Sequence, residues 1–225
     1  MRVFVAGATG ATGAVFVPLA AARGHELRLH VRPQTAARHA FGQDPRAQVL
    51  DLADHDALDA AVRGCDAVVS LVGTMRARFG AGDTYESADI GSTRQLVEAA
   101  KREGVSRFLL LSSFGAGGMG AYLKMKGECE RIVREAPGLR WTIFRPAALV
   151  SPEGEAGGAH GKREVPAVAV AAGALMRRLP GLRDMADDWR PIPLEVLATA
   201  MVAVLETPRD NCILSGRDLW PLGGA

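Results

Sequence analysis

The sequence predicts an α/β fold in which helices cover both faces of a doubly wound parallel sheet. Two observations carry this prediction. Short apolar runs alternate with longer segments of helical character along the chain, and such alternation is typical of βαβ units, which build parallel sheets. No linker, repeat or low-complexity stretch divides the 225 residues, and a chain of this length can bury one substantial core. We therefore predict a single domain over residues 1–225.

The first strand and the first helix are predicted from the opening residues. Residues 3–6 are an apolar run that fits a strand buried on both faces. Residues 14–22 are apolar, rich in alanine and helical in character. Three glycines at a spacing of three, Gly7, Gly10 and Gly13, lie between the two segments. A strand, a glycine-rich turn and a helix in this order form the context in which a glycine pattern predicts a nucleotide site.

Each glycine has a physical reason under that hypothesis. Gly7 lets the chain turn tightly off the strand, Gly10 lacks the Cβ that would hold a pyrophosphate away from the backbone, and Gly13 lets the helix pack closely on the sheet. The helix N-terminus offers free N–H groups and a partial positive charge to the phosphates. The alternative is a tight turn that binds no ligand. The cofactor contacts predicted in this turn are Gly7, Thr9, Gly10, Ala11, Thr12 and Gly13.

The spacing G-x-x-G-x-x-G, opening with Gly-Ala-Thr-Gly, resembles that of the short-chain dehydrogenases/reductases, in particular their extended and atypical members. The resemblance implies a Rossmann fold that binds NAD(P)(H). The residue after the second strand, here residues 26–31, meets the adenosine ribose in such a fold, and an arginine there accommodates the 2′-phosphate of NADP. Arg32 holds this position with no acid nearby. We therefore expect NADP(H) to be preferred over NAD(H); a solvated loop arginine is the alternative.

Two further strand ends supply predicted cofactor contacts. The third strand, residues 48–52, ends in an acidic–apolar pair of the kind that lies beside the adenine in the related dehydrogenases; its acid could instead cap a helix at residues 54–62. The fourth strand, residues 66–73, ends in a glycine where backbone would pass close to the cofactor. The contacts predicted at these ends are Asp51, Leu52, Val72 and Gly73. The loop at residues 74–84 holds candidate substrate contacts, with an ordinary mobile loop as the alternative: Arg76, Arg78 and Phe79.

The residues that carry chemistry follow the fifth strand, residues 107–112. This strand leads into Ser112 and Ser113, and a glycine-rich loop then precedes Tyr122 and Lys126. Tyr122 and Lys126 are four residues apart, which makes their side chains adjacent on one helix face. A Tyr-x-x-x-Lys pair behind a serine at a strand end resembles the catalytic arrangement of the short-chain dehydrogenases/reductases.

Reduction of a carbonyl group needs these residue types. Hydride transfer leaves an alkoxide that must take a proton, and a phenol with a pKa of about 10 is a poor proton donor at neutral pH. An adjacent ammonium group stabilises the phenolate, and a serine hydroxyl can hydrogen-bond the carbonyl oxygen. We predict Tyr122 as the catalytic acid, Lys126 as the residue that tunes it, and Ser113, then Ser112, as the serine that faces the substrate. The resemblance implies that Lys126 also holds the nicotinamide ribose, and we expect Ser112 to border the cofactor.

The sixth strand, residues 139–147, contains the run Trp-Thr-Ile-Phe-Arg-Pro, which resembles the W-T-I-x-R-P segment of atypical family members. Pro146 and Ala147 would border the nicotinamide. The resemblance covers residues 1–150, the cofactor-binding core, and is closest to the group of NmrA-like proteins and biliverdin reductase B-like flavin reductases. It implies an NADP(H)-dependent oxidoreductase that reduces a carbonyl-like or quinone-like small molecule. The open alternatives are a non-catalytic NADP(H)-binding redox sensor or regulator, and a sugar-nucleotide epimerase or dehydratase.

Several elements complete the predicted domain. A long central helix is predicted over residues 85–103, and residues 151–225 are expected to form a substrate region rather than a second domain. We expect Trp141 in the core, whereas Trp189 could line or cap the substrate pocket. The elements predicted in the substrate region are a loop at 153–163, helices at 165–178 and 191–206, and an edge strand at 212–215.

Bulk properties exclude other classes of protein. The net charge of +2 is too small to argue for nucleic acid or an anionic membrane as a partner, and no apolar run approaches the roughly 20 residues of a membrane span. We expect no signal peptide before the first strand. Three distant cysteines and five histidines without ligand spacing predict neither a disulfide framework nor a metal site, and we expect all five histidines at the surface. The expected location is the cytoplasm and the expected partner a small-molecule substrate; a homodimer stays open.

Overall fold

The computed structural model describes residues 1–73, 85–150 and 183–224. Within these ranges seven strands form one sheet in the order β3-β2-β1-β4-β5-β6-β9, and every neighbouring pair is parallel. They are β1 (Arg2–Ala6), β2 (Glu26–Val31), β3 (Ala47–Val49), β4 (Ala67–Ser70), β5 (Arg107–Leu111), β6 (Arg140–Arg145) and β9 (Cys212–Ser215). The strand order reverses direction between β1 and β4, which is the point where doubly wound sheets open a crevice for ligands. The predicted fold class is confirmed.

Helices cover both faces of this sheet. The described helices are α1 (Ala11–Ala22), α2 (Pro33–Ala36), α3 (His55–Val62), α4 (Ser92–Arg102), α5 (Ala121–Arg134), α6 (Arg183–Trp189), α7 (Leu194–Glu206) and α8 (Gly216–Leu222). A 3₁₀ turn occupies Ala40–Gln43 and a π-helical segment occupies Tyr85–Gly91. None of the helices in these ranges is both long enough and apolar enough to cross a membrane.

Strand β1 shows why both faces of the sheet are buried. Val3 and Val5 point into one apolar cluster, where they meet α1 and α7, whereas Phe4 and Ala6 point into the other, where they meet α3 and α4. All four side chains are 0% exposed. Successive strand side chains alternate between faces, so the uninterrupted apolar run in the sequence reflects burial on both sides.

Two helices differ from their predicted bounds. The long central helix is interrupted, because the π-helical Tyr85–Gly91 precedes the regular helix α4. The helix predicted from residue 191 begins at Leu194, because Ile192 and Pro193 first form the short strand β8. This strand pairs with β7 (Leu149–Val150) in a separate two-stranded ladder.

The C-terminal edge strand was predicted correctly as Cys212–Ser215 and lies beside β6. Trp141 is half-buried against the cluster formed by α3, α4 and α5, which agrees with the expected core position. The elements predicted at residues 153–163 and 165–178 lie outside the described residues, as do Arg76, Arg78 and Phe79.

Candidate active site at the carboxyl edge of the sheet

The glycine turn after β1 closes against the end of β4. Gly7 has a φ of +85°, and a Cβ added to it would lie 2.7 Å from the carbonyl carbon of Leu71 and 2.9 Å from the amide nitrogen of Val72. Both the backbone conformation and the lack of space therefore require glycine here. The turn that was predicted to leave the strand tightly is present, and it brings Gly7 beside the predicted contact Val72.

The other two glycines of the turn differ in what surrounds them. A Cβ on Gly13 would lie 2.2 Å from the carbonyl oxygen of Ala8, so the packing of the protein itself excludes a side chain there. Among residues 1–73, 85–150 and 183–224, the atom nearest to a Cβ on Gly10 would be Gly7 O at 3.4 Å, which is an ordinary contact. Gly10 is exposed and is the N-cap of α1 without a side-chain cap.

These surroundings fit a dinucleotide pyrophosphate in front of Gly10. The first N–H groups of α1 have no partner within the helix, and an anion at this end would also meet the positive end of the helix dipole. Thr9 and Ala11 are half-buried beside Gly10, and Thr12 is buried in the first turn. All the residues predicted in the turn are thus contiguous at the crevice between β1 and β4.

The predicted adenosine contacts lie at the neighbouring strand ends. Arg32 follows β2 directly, is half-buried and is the N-cap of α2. Asp51 is exposed, and its Oδ1 accepts a hydrogen bond of 3.0 Å from the amide of Ala53. Leu52 is only 8% exposed. Since β2 and β3 are adjacent and parallel, Arg32 and Asp51 belong to the same edge of the sheet on one side of the glycine turn.

His30 lies beneath this edge and corrects the expectation that all five histidines are at the surface. It is 5% exposed, and its Nε2 lies 3.1 Å from the carbonyl oxygen of Leu50. Because that oxygen can only accept, Nε2 carries the proton of a neutral ring. Burial lowers the pKa of His30 to about 4. The alternation of β2 puts His30 on the polar face with Glu26 and Arg28, so no local pattern of the sequence indicated its burial.

Lys126 brings the ends of β4 and β5 together. It is 4% exposed, and its Nζ donates hydrogen bonds to Val72 O at 3.2 Å and to Leu111 O at 3.3 Å. A Cβ added to Gly73 would lie 3.7 Å from the same Nζ. The ammonium group therefore lies at the carboxyl edge of the sheet, next to two of the predicted cofactor contacts.

The carboxylate of Asp89 is the functional candidate that the sequence reasoning missed. Its Oδ1 lies 3.8 Å from Lys126 Nζ, and the side chains of Asp89 and Lys126 are 1% and 4% exposed. The main-chain carbonyl of Asp89 also accepts a hydrogen bond of 2.8 Å from Thr93 Oγ1. No spacing in the sequence marks this pair, because Asp89 lies in the π-helical segment and Lys126 lies in α5.

Tyr122 lies one helical turn before Lys126 on α5. Side chains at this spacing are neighbours on one face of a helix. Tyr122 is 37% exposed whereas Lys126 is buried. Helix α5 thus places the Tyr122 phenol at the protein surface and the Lys126 ammonium group in the interior. Gly120 is the N-cap of this helix.

The two serines after β5 have different surroundings. Ser112 is 4% exposed, and its hydroxyl donates to Glu130 Oε1. Arg145 Nε donates to the same oxygen at 2.8 Å and forms an ion pair with the buried Glu130 carboxylate. Ser113 is half-buried, and its Oγ donates a long hydrogen bond of 3.4 Å to the carbonyl oxygen of Phe114. The hydroxyl of Ser112 is therefore engaged inside the protein, which leaves Ser113 as the better placed of the two to meet a substrate.

The loops that follow β5 and β6 are joined at their start. Phe114 N donates to Pro146 O at 2.8 Å, and Pro146 is buried whereas Ala147 is half-buried. This bond places Pro146 and Ala147 next to Ser113; their contact with the nicotinamide stays a prediction. The ring of Phe114 also contacts Trp189, with 5.4 Å between centroids.

Comparison with known proteins identifies the family of the chain. The family described as NAD(P)H-binding matches residues 7–174 of the chain. An uncharacterised chloroplastic protein of Arabidopsis thaliana is 30% identical over 167 residues, which are 66% of this chain and 59% of that protein. Sterol demethylase protein B of Methylococcus capsulatus is 30% identical over 172 residues, 68% of this chain and 52% of that protein. The chain thus spans little more than half the length of these relatives.

Solved structures show the same fold. A short-chain dehydrogenase/reductase superfamily protein from Agrobacterium tumefaciens with bound NAD aligns with a TM-score of 0.65 and 17% identity, over 98% of this chain and 81% of that one. The human epimerase family protein SDR39U1 with NADPH aligns with a TM-score of 0.62 and 20% identity, over 92% of this chain and 70% of that one. The predicted short-chain dehydrogenase/reductase fold is confirmed.

Proposed function

Since this chain belongs to the NAD(P)H-binding family, we propose that it is an NADP(H)-dependent reductase of the atypical short-chain dehydrogenase/reductase type. Its substrate is a carbonyl-like or quinone-like small molecule. The observation that carries the proposal is the position of Lys126, whose Nζ lies at the joined ends of β4 and β5. Tyr122 stands one helical turn away on α5, and Ser113 is the second residue after β5.

Ser113, Tyr122 and Lys126 have different roles in the proposed reduction of a carbonyl group. Bound NADPH would supply a hydride to the carbonyl carbon. The Ser113 hydroxyl donates a hydrogen bond to the carbonyl oxygen, where negative charge develops. The Tyr122 phenol donates a proton to that oxygen as the second bond of the C=O group breaks, so the products are an alcohol and the oxidised cofactor. The charge of the Lys126 ammonium favours the phenolate that remains, and solvent returns the proton to it.

The glycine turn and Arg32 would hold the other end of the cofactor. The open space at Gly10 and the first N–H groups of α1 suit the pyrophosphate. The guanidinium of Arg32 suits the 2′-phosphate that distinguishes NADP from NAD. Preference for NADP(H) over NAD(H) is therefore part of the proposal.

One observation favours a second function, that of a non-catalytic NADP(H)-binding regulator. Lys126 contacts two backbone carbonyls and the buried carboxylate of Asp89. These contacts give Lys126 a structural role that needs no chemistry, and Asp89 offsets part of the charge that would favour the phenolate. A regulator of this kind would bind the cofactor and pass its redox state to a partner protein.

We also propose a cytoplasmic location for the enzyme, with a small molecule as its partner. The support is the state of the cysteines, since Cys65, Cys129 and Cys212 are all free and disulfides are rare in reducing compartments. The homodimer is proposed as the assembly to test first by light scattering.

The experiment that tests the reductase is NADPH oxidation with a panel of aldehydes, ketones and quinones, measured on the wild type and on Tyr122→Phe. The phenylalanine variant keeps the ring and lacks the proton donor. We expect kcat/KM for the best carbonyl to fall by about 10²- to 10⁴-fold, with an unchanged Kd for NADPH. Binding of NADPH without oxidation by any member of the panel would favour the regulator instead.

A further inference from the structure

Trp189 is held at the rim of the site by a buried carboxylate next to it in the sequence. Asp188 is 6% exposed, and its Oδ1 accepts hydrogen bonds from Ser215 Oγ at 2.6 Å and from the amide of Arg217 at 3.1 Å. Arg217 Nε donates to Oδ2 at 2.9 Å. Ser215 ends strand β9 and is in register with Arg145 at the end of β6. Asp188 therefore ties the end of α6 to the carboxyl edge of the sheet.

The backbone on either side of Trp189 is fixed as well. The guanidinium carbon of Arg190 lies 3.5 Å from the centroid of the Trp220 ring, within the range of a cation–π interaction. On the other side, a Cβ added to Gly216 would lie 2.4 Å from the carbonyl oxygen of Asp187. Close packing and two charged contacts thus hold residues 187–190 against β9 and α8.

The side chain of Trp189 is nevertheless 65% exposed. Its ring contacts Phe114 at a centroid distance of 5.4 Å and an angle of 59°. Phe114 follows Ser113 in the chain, and its amide is bonded to Pro146 O. An indole on a fixed backbone, next to the residue that follows Ser113, places a large aromatic surface at the mouth of the site.

We propose that Phe114 and Trp189 form an aromatic shelf for a flat, fused-ring substrate such as a bicyclic quinone, which stacks on the exposed Trp189 ring and meets the tilted Phe114 ring with its edge. This inference rests on the proposed function, because it names the class of substrate for the same site. Aromatic rings gain from offset or edge-to-face contact beyond the area that they bury, and an aliphatic ketone lacks that gain. A small molecule is the occupant because the shelf adjoins Ser113 and offers two rings, far less surface than a stable protein interface needs.

The test is calorimetric titration of the NADP⁺-loaded protein with 2,3-dimethyl-1,4-naphthoquinone, whose blocked ring positions prevent reaction with thiols. Cyclohexane-1,4-dione is the non-aromatic comparison. The variants are Trp189→Leu, which keeps an apolar side chain, and Trp189→Phe, the matched control that keeps an aromatic ring. Oxidised cofactor excludes turnover, so the titration reports binding alone.

We expect the wild type to bind the naphthoquinone at least about tenfold more tightly than the dione, because stacking adds to area burial. Trp189→Leu should raise the Kd of the naphthoquinone by about five- to tenfold, whereas Trp189→Phe should stay within about threefold of wild type. The Kd of NADP⁺ should be the same in all three proteins.

Two outcomes would overturn the shelf: no binding of the naphthoquinone to the wild type, or a Kd that does not change in Trp189→Leu. Failure of the proposed function has a different signature. Binding that depends on Trp189, together with no oxidation of NADPH by any substrate, would support the shelf and contradict the reductase.

Discussion

At the scale of single residues, the buried pair of Lys126 and Asp89 links the stability of the protein to its candidate chemistry. Two charges that are 4% and 1% exposed are tolerated in a protein interior only when they compensate each other. Removing one partner leaves the other charge buried without its counterion, whereas removing both leaves a neutral site. The pair therefore lends itself to a double-mutant cycle.

We predict that Lys126→Met lowers the free energy of unfolding by about 3 kcal/mol, within the range for breaking a buried ion pair. The double variant Lys126→Met/Asp89→Asn should recover at least half of that loss, because the uncompensated carboxylate is gone. Urea unfolding of the wild type, both single variants and the double variant measures the coupling. Additive losses would show that Asp89 does not interact with Lys126.

His30 gives the protein a pH-dependent stability of known sign. Its pKa is lowered to about 4 in the folded protein by burial, whereas an unfolded histidine titrates near 6.5. Between about pH 6.5 and pH 4 the unfolded chain is protonated at His30 and the folded protein is not. The stability that the neutral, buried His30 contributes is therefore complete above about pH 6.5 and is lost as the pH falls toward 4.

From these two pKa values we expect the wild type to lose about 2 kcal/mol of stability between pH 8 and pH 5 through His30 alone. His30→Gln keeps an N–H donor for Leu50 O and does not titrate. The difference between the two proteins in urea unfolding at several pH values isolates the effect. Parallel pH profiles for wild type and His30→Gln would mean that His30 is protonated in the folded protein near its ordinary pKa.

At the scale of elements, two glycines in the turn between β1 and α1 have different reasons to be glycine. Packing of the chain requires Gly13, whereas Gly10 leaves room for a ligand. Gly13→Ala places a methyl group 2.2 Å from Ala8 O, whereas Gly10→Ala meets no atom of the described residues closer than 3.4 Å. Packing among the described residues therefore does not require glycine at position 10, whereas a bound pyrophosphate would. This contrast makes Gly13→Ala and Gly10→Ala a matched pair of variants.

We predict that Gly10→Ala loses no more than about 1 kcal/mol of stability, the cost of a poorer N-cap on α1. It should bind NADPH about tenfold to a hundredfold more weakly, since an overpacked contact costs about 1–3 kcal/mol. Gly13→Ala should lower the free energy of unfolding by at least about 1–3 kcal/mol, because its methyl group clashes with Ala8 O. Urea unfolding and calorimetry on both variants provide the check. Wild-type affinity in a folded Gly10→Ala protein would place the pyrophosphate elsewhere.

Local patterns explain which elements the sequence could predict. The apolar run of β1, the glycine spacing and the alternation along the chain are set by neighbours in sequence, so the sheet and the turn were predictable. The π-helical Tyr85–Gly91 and the short strand at Ile192–Pro193 depend on contacts with distant segments. No periodicity of the chain records such contacts.

The same reason limits what could be predicted of the site. The spacing of Tyr122 and Lys126 is visible in the sequence because one helix carries both. Asp89, and the pair of Glu130 and Arg145 that engages Ser112, meet their partners only after the chain has folded. The roles of the predicted cofactor and catalytic residues stay predictions until binding and turnover are measured.

At the scale of the whole molecule, topology places every described candidate residue at one edge of the sheet. All seven strands are parallel, and the order reverses between β1 and β4, so the loops after β1, β2, β4, β5, β6 and β9 open on the same side. Ligands bind at this side in doubly wound sheets. The glycine turn, the Lys126 site and the aromatic shelf therefore lie on one side of the sheet, where we propose the ligand crevice.

The central claim is that this crevice binds NADP(H), and the most direct test is calorimetric titration with NADPH and NADH on the wild type and on Arg32→Ala. We expect NADPH to bind the wild type at least about tenfold more tightly than NADH, because a charge-assisted bond to the 2′-phosphate is worth about 1.5 kcal/mol or more. In Arg32→Ala the affinity for NADPH should fall to that for NADH. Failure of the wild type to bind either nucleotide would contradict the claim, and with it every role assigned to the glycine turn, Tyr122 and Lys126.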